Sequence, residues 1–203
     1  MSEHLDERGV WDYLMTLTDS ENLTAALMGN MKRESGIRGN NLQQTGEKAL
    51  GMTDDMYTEA LNVGSYTKDQ FVYDHFGYGL CQWTYWSRKQ AFYAYWKSSS
   101  CKDISSEWLQ CNYAIKELQA GYSGIWSNRF TDNIDTLTIK ILKQYEAPAD
   151  TGEKEQSIRC RYAHEIYEKY HIKSKVISKD IVIKMLNDLK ACIDDCITEV
   201  NEL

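Results

Sequence analysis

The chain has a single proline and only twelve glycines in 203 residues, too few for a protein built from tight β-turns or low-complexity repeats. No stretch approaches the roughly eighteen apolar residues of a membrane span, and the opening MSEHLDERGV lacks a basic segment followed by an apolar one, the pattern of an export signal. A soluble, helix-rich protein made in the cytoplasm without a signal peptide is expected, with no membrane partner. An excess of positive charge is also missing: the formal net charge is -7. Nucleic-acid binding, which relies on lysines and arginines displacing counterions from phosphate, is therefore set aside. The six cysteines, Cys81, Cys101, Cys111, Cys160, Cys192 and Cys196, form no CxxC pair and no His/Cys spacing of the zinc type. Neither a metal nor another cofactor is expected.

What is present suits one globular domain with an appendage: 42% hydrophobic and 26% charged residues, in a chain long enough to bury a substantial core. Fourteen tyrosines and six tryptophans stand out. Most such rings belong to cores, but flat amphipathic rings also stack on sugar faces. An acidic protein that acts on an anionic polymer must rely on shaped contacts of this kind, because long-range attraction works against it.

Apolar spacing predicts helices through Val10, Trp11, Leu14 and Leu17, then through Leu23, Ala26, Leu27 and Met31, with Asp19 or Ser20 as the second cap and Gly36 as its stop. Residues 37–82 read as a polar insertion with one helix near Asp54 to Leu61 and strand pieces at Gln70 to Tyr73 and Tyr78 to Cys81. Further helices are expected near 87–98, 105–120, 133–145 and 152–170. The fold class is thus mainly α with a small β or irregular insertion. Residues 1–172 form the main domain and 173–203 a connector with a C-terminal amphipathic helix. In that helix Val182, Leu186, Leu189, Ile193, Cys196, Val200 and Leu203 alternate steps of four and three. Such a seam predicts self-association, with packing on its own domain as the alternative.

Two segments carry candidate chemistry. Glu34 ends an apolar helix just before Ser35 and Gly36. A carboxyl there can project into a cleft, where an apolar wall disfavours its charged form and suits it to general acid work. Downstream, GYGLCQWTYWSRK begins with two glycines flanking Tyr78, a pattern that lets backbone approach a ligand closely. Gln82 then offers an amide and Trp83 a ring, a pair suited to an N-acetylated sugar. Cys81 with His75 invites a cysteine amidase reading, but Cys81 alternates with Leu80 and Gln82 and a small buried thiol suits it better.

MGNMKRESGI followed by YGLCQWT resembles the lysozyme superfamily, and in particular the phage tail-tip lysozyme domain of lysins and tail proteins. The strings IKEL, YEAP and RYAHEIYEKY extend the resemblance over residues 8–171. It implies a lysozyme-like fold and an N-acetylmuramidase that cleaves the β-1,4 bond of peptidoglycan, with Glu34 as general acid. Tyr78, Gln82, Trp83 and Tyr145 are expected to bind the glycan, and Arg88 to pair with a carboxylate. The place of action implied is the bacterial wall, reached after holin-type release or from a phage particle. Animal lysozymes of this kind have a second carboxylate just before the Tyr-Gly, where this chain has Gly77. Asp74, three residues earlier, becomes the candidate base, either holding a water across the sugar as inverting enzymes do or capping its own turn. Asp54, Asp55 and Asp69 are weaker candidates. A lytic transglycosylase and a non-catalytic glycan-binding or particle-assembly module remain as rival readings.

Overall fold

The computed structural model describes residues 4–171. Helix α1 (Glu7–Thr18) starts where the Asp6 carboxylate accepts the Gly9 N–H at 2.8 Å, and it buries Val10, Trp11 and Leu14. Of the two residues expected to cap the next helix, Ser20 does so, its hydroxyl oxygen accepting the Leu23 N–H. Asp19 instead closes α1 in a left-handed conformation. Helix α2 (Glu21–Ser35) is buried at every position from Leu23 to Met31 and forms the axis of the domain. It stops at Gly36, where φ is 65° and the N–H reaches the carbonyls of Met31 and Lys32, the geometry that favours glycine after a final turn.

Three short helices follow: α3 (Gln44–Leu50), α4 (Asp54–Val63) and α5 (Lys68–Tyr73). The last of these overturns the strand expected at Gln70 to Tyr73. Thr67 and Gln70 form a reciprocal capping box, and two satisfied backbone donors at a helix start outweigh a brief alternation of apolar residues. The second strand, at Tyr78 to Cys81, is reduced to an isolated antiparallel bridge between Tyr78 and Leu42. The insertion is therefore irregular and helical, with almost no sheet among the described residues.

The remaining described elements are α6 (Trp86–Ser98), α7 (Glu107–Gly121), α8 (Ser123–Trp126), α9 (Ile134–Lys140), a wider π-turn at Ile141–Glu146 and α10 (Glu153–Tyr170). Helix α10 lies along α2, with α9 against both. Gly29 permits this approach, since a Cβ there would fall 2.7 Å from the Cβ and backbone N of Ala163. The close contact brings Arg159 of α10 beside the last turn of α2. No described helix is long and apolar enough to cross a membrane. The expected connector and the seam from Val182 to Leu203 lie outside the described residues.

Candidate active site

The end of α2 is fixed to the segment after Gly77 through Ser35, whose Oγ lies 3.1 Å from both the Met31 and Leu80 carbonyls. Opposite it the chain turns tightly at Gly79, where φ is 77° and an added Cβ would come within 2.5 Å of Gln110 Oε1. Gln110 in turn accepts the Leu80 N–H at 2.8 Å. Glu34 and Gln82 thus face a common cleft of about 820 Å³, with Arg88, Glu146, Asp150 and Arg159 also on its walls. Five non-glycine residues in the described structure have left-handed backbones, and three of them, His75, Gln82 and Ala147, line this cleft. Such conformations cost energy and persist where the surrounding structure enforces them, most often at functional sites.

Glu34 does not face the purely apolar wall expected from its sequence. Its carboxylate accepts a hydrogen bond from Arg159 Nη2, and the guanidinium also donates to Asn30 Oδ1 and Glu155 Oε1, each at 2.9 Å. Arg33 donates to Glu155 from the other side at 3.0 Å. Arg159 is buried, so α10 supplies a fixed counter-charge that aims the Glu34 side chain.

Among the other carboxyls of the cleft is Glu146, at the end of the π-turn. A π-turn widens a helix locally and recurs at functional sites, and here it terminates in Ala147 with φ of 45°. Glu146 Oε1 is closed off from solvent and has no hydrogen-bond partner. Burial, and next the nearby charge of Glu34, push the Glu146 carboxyl up to about 8. Both effects favour the protonated form of this half-buried residue, whose enclosed Oε1 has nothing to compensate a charge.

The residues expected to bind glycan separate into two groups. Gln82 lines the cleft, with its amide Nε2 held by the Asn41 backbone and side-chain oxygens at 3.0 and 2.9 Å. Trp83 and Tyr145 are buried behind it. The indole N–H, the Tyr145 hydroxyl and the Arg88 guanidinium all donate to Glu117, each at 2.8 Å or 2.9 Å. They brace the floor and the π-turn from beneath. Tyr78 is fully buried, with its hydroxyl 2.7 Å from Thr58 Oγ1.

Asp74 also lies away from the cleft walls. It pairs with the fully buried Lys89 amine and accepts hydrogen bonds from the Tyr57 hydroxyl at 2.5 Å, the Tyr66 hydroxyl at 3.3 Å and the Phe76 N–H at 3.0 Å. Those partners occupy its lone pairs, an arrangement suited to a buried structural carboxylate. Asp54 accepts the Leu42 N–H and Arg38, Asp55 accepts Asn40, and Asp69 sits in the first turn of α5. Cys81 and His75 do border the cleft, but burial holds the Cys81 thiol well above its ordinary range, and a thiol that stays protonated is a poor nucleophile.

The family model described as phage tail lysozyme matches residues 6–170. The chain belongs to the phage tail lysozyme family. Membership brings a lysozyme-like, peptidoglycan-degrading function and an association with phage particles. No curated protein and no solved structure matches the chain. Within the matched span, the sequence motifs pointed to Glu34 and Gln82 but missed Glu146 and Arg159. Glu146 was within reach, as the neighbour of Tyr145 in YEAP. Arg159 resembles any other charge on a half-exposed helix, and only the packing of α10 on α2 distinguishes it.

Proposed function

We propose that the chain cleaves the β-1,4 bond between N-acetylmuramic acid and N-acetylglucosamine, with Glu34 protonating the leaving oxygen. The observation that carries this reading is the placement of Glu34 and Glu146 on one cleft, one carboxyl oriented by Arg159 and the other with an enclosed Oε1 that has no hydrogen-bond partner. Glu34 gives its proton to the glycosidic oxygen, and Glu146, on the wall of the same cleft, is the neighbouring carboxyl that bears on that step. Gln82, whose Nε2 is held by Asn41 and Gly79, presents its amide oxygen to the sugar. The chain acts at the wall from a phage particle or after holin-type release.

A lytic transglycosylase is the second reading, favoured by one observation. Asp74 is enclosed by Lys89, Tyr57 and Tyr66, which withdraws it from the role of the base that an inverting hydrolase needs on the far face of the sugar. A transglycosylase needs none, because the 6-hydroxyl of muramic acid displaces the bond after Glu34 has turned from acid to base. Digestion of purified peptidoglycan separates the two. A hydrolase leaves a reducing N-acetylmuramic acid, a transglycosylase leaves a 1,6-anhydro end 18 mass units lighter by loss of water, and release of no fragments defeats both.

The proton held by Glu146 makes the rate pH-dependent in a stated direction. Activity is full while the carboxyl is protonated and falls as the pH rises through about 8. In Glu146→Gln the neighbouring titratable carboxyl is gone. The alkaline limb of kcat/KM then moves to lower pH, and the rate at pH 7 falls about tenfold or more. A limb that stays in place with an unchanged rate would show that Glu146 only packs the π-turn.

A further inference from the structure

Six large apolar side chains are exposed among the described residues, and three of them are neighbours: Tyr73 at 56%, Tyr85 at 63% and Trp86 at 42%. The Trp86 ring stacks on Tyr73 with centroids 6.4 Å apart and planes 23° apart, and Tyr85 lies 5.9 Å from Trp86. Local structure brings them together. Tyr73 is the last residue of α5, Tyr85 precedes α6, Trp86 is its first residue, and the two helices pack on each other. Clustered exposed rings forgo burial that the same residues would gain in a core, and such patches commonly mark binding surfaces.

Tyr85 also lines the cleft that holds Glu34, so the patch continues the wall of that groove. We propose that Tyr73, Tyr85 and Trp86 form an outlying saccharide platform that seats N-acetylhexosamine units of the same glycan strand beyond the bond being cut. The proposal rests on the glycosidase reading of the cleft. Two features select a sugar polymer as the occupant. The near-parallel faces of Tyr73 and Trp86, with Tyr85 tilted 44° from Trp86 beside them, suit the flat apolar faces of successive pyranose rings. In addition, a chain of net charge -7 cannot draw an anionic wall polymer by long-range attraction, so its affinity must accumulate through contacts repeated along the strand.

The test is calorimetric binding of peptide-free peptidoglycan strands of four and eight sugars to the Glu34→Gln protein, which cannot consume them. The expected result is a gain of about tenfold in affinity from the shorter to the longer strand, the size of one good ring contact. Tyr73→Ala with Trp86→Ala in the same background removes that gain, while Trp86→Phe, which retains a ring, keeps most of it. The platform is overturned if the double variant keeps the gain, if it loses affinity equally for both lengths, or if the parent binds both equally. Should the parent bind neither strand, the glycosidase reading falls together with the platform.

Discussion

Replacing Glu34 by Gln leaves a folded protein whose release of soluble fragments from purified peptidoglycan falls about 100- to 10,000-fold, the usual contribution of general acid–base catalysis. The amide preserves the shape of the α2 terminus but has no acidic proton to give. Arg159 is not stranded by the change, because it keeps Glu155 Oε1 and Asn30 Oδ1, each at 2.9 Å. Folding is checked by far-ultraviolet circular dichroism and by the thermal midpoint. A wild-type rate in a folded Glu34→Gln protein would remove Glu34 from the chemistry and shift the role of acid to Glu146.

Helix positions were legible because each depends on local signals: the apolar stripe of α1, the Ser20 cap, the Gly36 stop. The cleft was legible for a similar reason. Glu34 sits where an apolar helix ends in Ser-Gly, and the Gly77–Gly79 turn announces a close backbone approach. What failed was the assumption that residues near one another in a motif share a role. Tyr78 and Trp83 flank the turn on the inward side and enter the core, whereas Gln82, between them and the cleft, turns outward on a left-handed backbone. The strand at Gln70 to Tyr73 failed because its alternation is also compatible with one helical turn, and the capping box decides. The Arg159 contact depends on Gly29 admitting Ala163, a packing event between residues more than a hundred positions apart. Nothing local encodes it.

Asp74→Asn separates a buried structural pair from a catalytic base. The Lys89 amine is fully enclosed and the Asp74 side chain is only 5% exposed, so loss of the carboxylate charge leaves the amine either an unpaired ammonium or forced to give up its proton. Burial already pulls the Lys89 pKa down to about 8, and Asp74 opposes that pull. Breaking a buried pair from one side costs about 3–5 kcal/mol, and in a domain of this size that lowers the thermal midpoint by roughly 6–20 °C. Removing both partners as Asp74→Asn with Lys89→Met recovers most of the loss, because a buried pair replaced by apolar groups of similar volume is often neutral. Fragment release per folded molecule, measured well below the lowered midpoint, stays within about threefold of wild type, an allowance for the context dependence of such effects. A loss of 100-fold or more in Asp74→Asn at a temperature where it is fully folded, with the midpoint unmoved, would restore Asp74 as the base and exclude the ion-pair role.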